Sequence, residues 1–500
     1  MGWKSTMIKP YAAFVANKVR KIAASAVADQ LGIMQSLVKK AAKTAYGKDH
    51  SLGSVSTYED FKNCVPIRDY EGLRPYVDRT VAGEADVLWP GLPKYFAKTS
   101  GTTSGVKYIP LTPDSMPNHM NSASHAVLNY VHETGNTHIF DGKIMFLSGS
   151  PELDQTKRVP TGRLSGIVNH EVPNWLQTNQ VPTYETNCIE DWETKLEKVV
   201  EETLHKDMRV IGGIPPWVQM YYEQVLSTTG KDKLIDVFTN LQLFVYGGVN
   251  YEPYRAKLSE LVGKSLDSIE TYPASEGFIA YQVKQGDPGL LLNTRSGIFF
   301  EFVPAQEVHT EQPTRLHLGQ VELGVDYALI INSNAGLWGY SIGDSVQFVS
   351  LDPYKLVVSG RIKHYISAFG EHVIGKEVET ALLSVANQQG LQIVEFTVAP
   401  QVNPPEGGLP YHEWFVAFAT PPADLSSFAQ QVDREMTHQN IYYKDLIDGN
   451  ILQPLIMRAM PEDSFRQYMK TQGKLGGQNK VPRLSNDRKI ADRLSAMLDE

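Results

Sequence analysis

The chain has 500 residues, 42% of them hydrophobic, more than one core usually organises and enough to bury two. Its 47 basic and 56 acidic side chains leave a formal charge of −9, the wrong sign for a dedicated nucleic-acid binder and suited to small-molecule substrates. Only Cys64 and Cys188 are present, which excludes a cysteine-rich zinc cluster, supports no disulfide framework and fits a reducing cytoplasm.

The N-terminal stretch MGWKSTMIKPYAAFVANKVRKIAASAVADQ has apolar patches broken by Lys or Arg every few residues. It reads as an amphipathic helix, with helical periodicity over 11–45, and neither a signal peptide nor a membrane span can be drawn through it. Residues 65–91, VPIRDYEGLRPYVDRTVAGEADVLWPG, combine a short helix with turn signals. Residues 97–112, AKTSGTTSGVKYIPLT, then place Ser, Gly or Thr at seven consecutive positions, followed by Lys107. Glycines let a backbone aim several N–H groups at one point and hydroxyls add donors, so this run is either an anion cradle or a solvated loop. It is not a Walker A loop, because Gly101 and Gly105 are one residue too close and Val106 separates Gly105 from Lys107.

A helix is expected to start at Thr112 or Asp114, with Pro113 in its first turn. Strand-like runs follow: KIMFLSG, DMRVIGG, LQLFVYGG and SLDSIETYPAS, each ending in Gly, Ser or Pro after its apolar core. Such endings suit the carboxyl ends of buried strands whose loops carry chemistry. Residues 290–358 turn β-rich, which suggests a smaller β subdomain packed on an α/β core. After Gly360 comes an α+β pattern, so the chain is divided into 1–360 and 361–500, with a hinge near 361–363.

Four further stretches extend the cradle: YGGVNYEPYR (246–255), YPASEGFIAYQ (272–282), NAGLWGYSIGDSVQF (334–348) and GRIKHYISAFGEHV (360–373). In this order they resemble the adenylate-forming superfamily, and within it the acyl acid amido synthetases of the Gretchen Hagen family. The resemblance implies a large N-terminal α/β domain that binds ATP and an acyl group, and a smaller mobile α+β C-terminal lid. It implies ATP and Mg²⁺, with a carboxylic acid and an amino acid as small-molecule partners. No nucleic acid or membrane partner is expected; the oligomeric state, the acid and the amine are not legible.

By the same resemblance, Ser100, Gly101, Thr102, Thr103, Ser104 and Gly105 grip phosphates with Lys107, which stands one residue earlier than the family pattern has its lysine. The turn at Gly248 and Val249 lies against adenine, and Tyr272, in a stretch with Ala274 and Ser275, stacks on it. Glu276 suits a Mg²⁺ ligand, since magnesium takes one or two carboxylates, and Asp344 suits the ribose hydroxyls as an acceptor-only group. Gly339 and Ser341 replace two arginines of the family pattern. Arg361 reaches the ribose, Lys363 is the pivot, and of Lys474 and Lys480 the latter is the better match to a lysine that enters the site. Thr103, Glu276 and Lys480 are thus the expected catalytic set. Trp175, Trp217, Met220 and Tyr221 could line an acyl pocket, although aromatics at helical spacing also make core.

Two rivals share the scaffold: an acyl-CoA ligase, which differs only in the nucleophile, and a non-catalytic nucleotide-binding protein. The string Gly339-Tyr340-Ser341-Ile342-Gly343 also spells a hydrolase nucleophile elbow, but the residues after it alternate like a strand where the elbow needs a helix.

Overall fold

A computed structural model of the protein describes residues 3–100, 106–155, 158–172, 178–248, 251–308, 310–362, 365–366, 369, 373–449, 451–473, 480–485 and 487–499. The chain divides into two compact units, 1–249 with 258–357, and 250–257 with 358–500.

The N-terminal periodicity becomes two helices, Trp3–Ala24 and Ala26–Ala41. In the first, Ala12, Val15, Ala16 and Val19 are buried at helical spacing, and the stripe joins a core with Ala126, Tyr130 and Val131 of helix Met116–Thr134. In the second, Gln30 is buried on the apolar face because its amide is fully used: it donates to the carbonyls of Thr294 and Ile298, both at 2.8 Å, and accepts from Phe300 N at 2.8 Å. Helix Met116–Thr134 begins later than its sequence suggests. Thr112 and Ser115 exchange side-chain-to-backbone hydrogen bonds of 2.9 and 3.0 Å, which turns the chain before the helix, and Pro117 rather than Pro113 occupies its first turn.

Strands Lys143–Phe146, Met208–Gly212, Leu243–Gly247 and Asp267–Ala274 run parallel as successive neighbours. The mostly apolar, buried runs of Met208–Gly212 and Leu243–Gly247 are what a sheet covered on both faces requires. At Ala274 the sheet turns back through a hairpin into Gly277–Tyr281 and becomes antiparallel. The β-rich stretch does not form a sheet of its own. Leu290–Leu292, Tyr354–Arg361, Tyr340–Leu351, Asp326–Ser333, Ile298–Pro304 and Leu316–His317 extend the same sheet, which has twelve strands among the described residues.

The second unit has a three-stranded sheet in which Tyr411–Phe418 lies between antiparallel Ile393–Gln401 and parallel Ile456–Met460. Both faces are covered, so the central strand is buried along its whole length and apolar from Trp414 onward. Trp414, Val416 and Phe418 pack with helices Gly375–Gln388 and Leu425–Gln439, while Phe415 and Ala417 pack with helices Ser464–Thr471 and Lys489–Asp499. The segment 250–257 is tied to this unit by Tyr254, whose hydroxyl donates to Glu395 at 2.9 Å; Glu395 also pairs with Arg483. Among the described residues no helix is long and apolar enough to cross a membrane.

Candidate active site

The cradle is the loop of a β-hairpin. Strands Tyr95–Ser100 and Val106–Leu111 pair antiparallel, with Ser100 opposite Val106 and Thr99 opposite Lys107, so both ends of the Gly/Ser/Thr run are held together. Gly101, Thr102, Thr103, Ser104 and Gly105 themselves lie outside the described residues. Lys107 Nζ stands 5.6 Å over the ring of Tyr70, whose hydroxyl accepts from the backbone N–H of Tyr108 at 3.0 Å. The first-turn tyrosine of helix Tyr70–Val81 therefore braces the hairpin next to Lys107.

Ser275 and Glu276 are the two turn residues between Ala274 and Gly277, so Glu276 stands at the end of the sheet on a turn fixed by two strands. Tyr340 places its hydroxyl 3.3 Å from Glu276 Oε1. Burial, and then the negative charge of Glu276, hold the Tyr340 phenol well above its ordinary pKa, so it stays a donor to that carboxylate. Nearby in sequence, Asp344 is 7% exposed and accepts a 2.6 Å hydrogen bond at Oδ2 from the hydroxyl of Tyr272, itself 6% exposed. The residues expected at ribose and adenine are thus joined directly across 72 positions of sequence. The short bond fixes one carboxylate oxygen of Asp344 and orients the tyrosine ring.

The two missing arginines have a steric explanation at one position. The segment around Arg68 lies alongside residues 339–341: Arg68 N donates to Gly339 O at 2.8 Å and Ser341 N donates to Arg68 O at 2.8 Å. Gly339 has φ +53°, and a Cβ there would come within 2.2 Å of the Pro66 carbonyl oxygen. An arginine at 339 has no room, and the same clamp on both sides of Tyr340 holds its backbone in place. Ser341 lies in strand Tyr340–Leu351, which removes the hydrolase elbow.

Gly248 follows strand Leu243–Gly247 with φ +78° and is exposed, while Val249 lies outside the described residues. Ser100 and Arg361 close their strands, and only their backbones are described. Lys363, Lys474 and Trp175 lie outside the described residues; Lys480 is exposed in the second unit. Of the acyl-pocket candidates on helix Pro215–Thr229, Trp217 is 4% exposed and packs 5.2 Å from Trp192, and Met220 is half-buried. Tyr221 is fully buried, stacked on Phe238 with its hydroxyl 2.7 Å from that of Thr203, and is a core residue of that helix.

Two buried positions with polar contacts escape sequence reasoning. Tyr340 sits inside a quoted motif but reads as an ordinary strand aromatic. Lys195, 3% exposed, donates to the carbonyls of Ser148 and Asn187 at 3.0 and 2.7 Å and so pins the loop that follows strand Lys143–Phe146. Burial, with Arg163 nearby, brings its pKa down to about 8. Its only sequence signal is an amphipathic helix with a lysine on the apolar side.

Among the described residues no group of three or more His, Cys, Asp or Glu gathers as a metal site. A single carboxylate, Glu276, with nucleotide oxygens completing the shell is nevertheless a donor set that magnesium accepts.

The fold is that of the adenylate-forming enzymes. The chain superposes on a 2-hydroxyisobutyryl-CoA ligase in its postadenylation state with a TM-score of 0.61 at 13% identity, covering 94% of this chain and 91% of that one. It superposes on the GH3.15 acyl acid amido synthetase with a TM-score of 0.79 at 16% identity, covering 97% and 96%. The chain belongs to the GH3 family, the Gretchen Hagen family whose motifs it carries: the family's N-terminal domain matches residues 15–170, its central domain 291–361 and its C-terminal domain 376–489. Indole-3-acetic acid-amido synthetase GH3.3 of Arabidopsis thaliana is 29% identical over 196 residues, which span 37% of this chain and 33% of that protein. Jasmonoyl–L-amino acid synthetase JAR4 of Nicotiana attenuata is 23% identical over 380 residues, 63% of this chain and 65% of that one. The matched stretches thus span from a third to just under two thirds of these relatives.

Proposed function

We propose that the chain is an ATP-dependent acyl acid amido synthetase, which adenylates a carboxylic acid and transfers the acyl group to an amino acid. The observation that carries this reading is the pairing of Tyr272 with Asp344 and of Tyr340 with Glu276 in the larger unit, in a chain of the GH3 family. The carboxylate of the acid attacks the α-phosphorus and pyrophosphate leaves. The amine then attacks the acyl carbonyl, AMP leaves, and the ammonium proton is lost to a base. Residues 100–105 and Lys107 hold the phosphates. Asp344 accepts from the ribose hydroxyls, and Tyr272, bonded to it, presents its ring to adenine beside Gly248 and Val249. Glu276 would hold magnesium, which would draw charge from the phosphate oxygens, and Tyr340 donates to that carboxylate.

An amine rather than CoA is favoured because the curated relatives named above are amido synthetases, acting on indole-3-acetic acid and on jasmonic acid. The test is a pyrophosphate-release screen of carboxylic acids, beginning with these two, followed by mass analysis of products with an amino-acid mixture and, separately, with CoA. An amide mass supports the proposal; a thioester alone would make the chain an acyl-CoA ligase, and no pyrophosphate with any acid would leave a nucleotide binder.

Asp344→Asn keeps the shape and loses the charge, so its apparent KM for ATP is expected to rise about tenfold, with a smaller change in kcat, as for a contact made equally in ground and transition states. Initial-rate kinetics in ATP check this, and an unchanged KM would return Asp344 to a structural partner of Tyr272.

The two half-reactions need different groups around the intermediate, and the proposed lid, 361–500, exchanges them by turning about Lys363. Proline fixes φ, so Lys363→Pro is expected to slow one half-reaction more than the other. Pyrophosphate release without amine and amine capture of supplied acyl-adenylate measure them separately. Equal rates in a folded variant would move the pivot elsewhere.

A further inference from the structure

We propose that the larger unit carries a second binding site, a cleft between helix Trp3–Ala24 and helix Met116–Thr134 that takes an organic anion with an apolar body. The cleft has a volume of about 910 Å³, enough for a small molecule, and none of Lys107, Tyr272, Glu276 or Asp344 lines it.

Its charge is what selects an anion. Phe14, Lys18 and Lys21 lie at i, i+4 and i+7 on one helix face, and Arg295 stands in the loop that forms another wall. Among the described residues Lys18 and Lys21 have no ion-pair partner, and Arg295 Nε makes a long ion pair of 3.9 Å with Asp29 Oδ1. The one carboxylate lining the cleft, Asp114, is held by Lys40 at 2.6 Å and by Trp89 at 2.9 Å. His125 adds little charge, because burial and then Lys18 lower its pKa. Two unpaired lysines, with Arg295 loosely paired to Asp29, therefore border a cavity whose own acid is neutralised.

The apolar half of the ligand is selected by the same walls. The Phe14 ring is 64% exposed on a helix whose other aliphatic face is buried, and Leu291 and Leu292 lie beneath. Thr294 also borders the cleft; it is 2% exposed and its hydroxyl Oγ1 has no hydrogen-bond partner, a cost that native interiors seldom carry without a use. The cleft also reaches the Glu276 hairpin. Asn118, in its wall, accepts from Phe278 N at 2.6 Å and donates to Phe278 O at 3.1 Å, two residues from Glu276. An occupant that displaces Asn118 would be felt at that turn.

The fluorescent probe 8-anilinonaphthalene-1-sulfonate has the required chemistry, an aromatic body and one fixed negative charge. It is titrated into the full chain with saturating ATP present, which fills the nucleotide side of the adenylation site, and with no carboxylic acid, because an apolar acid is itself an anion of the proposed class. The expected result is one saturable site that persists under these conditions and weakens by about tenfold or more in a Lys18→Glu, Lys21→Glu double variant, since two reversed charges face the sulfonate. Both lysines are exposed, so the variant should melt with the wild type. Complete displacement by ATP, or unchanged binding in the folded double variant, would overturn the proposal.

Discussion

Glu276→Ala is expected to slow pyrophosphate release by about 100-fold or more while leaving ATP affinity nearly unchanged, because a group that stabilises charge developing in the transition state acts mainly on turnover. The geometry makes the loss specific. Glu276 is one of the two residues in a turn closed by the Ala274–Gly277 pair, so two strands set its position. Tyr340 contributes through that carboxylate. Its hydroxyl is 3.3 Å from Oε1, long for an O–H···O bond, and Tyr340→Phe should cost only a few-fold, at the lower end of the roughly 0.5–1.5 kcal/mol of a hydrogen bond. The distinguishing readout is magnesium dependence. Tyr340→Phe should need more magnesium for half-maximal pyrophosphate release and recover its rate when magnesium is raised, whereas Glu276→Ala should not recover. A Glu276→Ala protein that adenylates normally at limiting magnesium would remove this residue from the chemistry.

Arg315→Leu is expected to destabilise the larger unit by about 3–5 kcal/mol, the cost of leaving a buried charge without its partner. Glu301 is 0% exposed, on strand Ile298–Pro304, and the Arg315 guanidinium meets it with two parallel bonds of 3.0 and 2.7 Å. The same guanidinium donates to the carbonyls of Lys62 and Val65 at 3.1 and 2.5 Å. Tyr58 and Asn332 donate to the remaining lone pairs of Glu301 at 3.0 and 2.9 Å. Removing Arg315 thus leaves the carboxylate buried and also frees two backbone carbonyls at the end of helix Tyr58–Cys64. Urea unfolding of wild type and variant, followed by a probe in the larger unit, checks the size of the shift. A change below about 1 kcal/mol, the range of exposed ion pairs, would mean that water reaches Glu301.

Much of the candidate site is legible in the sequence because it rests on local pattern. Strands that end in Gly, Ser or Pro, a hydroxyl-rich run between two strands, and a lone carboxylate after a strand are short-range signals, and the structure has Leu243–Gly247, the Ser100–Val106 hairpin and the Ser275–Glu276 turn at these places. The helix expected at Thr112 starts at Met116 because Thr112 and Ser115 bond each other's backbone, a competition between side chain and helix that propensity does not resolve. The β-rich stretch reads as a unit of its own only until strand order is known: Leu290–Leu292 pairs with Gly277–Tyr281 and so joins the main sheet.

By itself, then, the sequence determined the order of the motifs, the α/β character of the first part, the α+β character of the last, and the family. Only the tertiary structure decided which of those residues meet. Periodicity reports a side chain's neighbours two to four positions away, whereas Tyr272 reaches Asp344 across 72 positions and Tyr340 reaches Glu276 across 64, through sheet order and register that no local window contains. The same holds for what is absent. Gly339 reads as a lost arginine in the sequence; in the fold it is a residue of φ +53° pressed on the Pro66 carbonyl, where the backbone of another segment occupies the space a side chain would need.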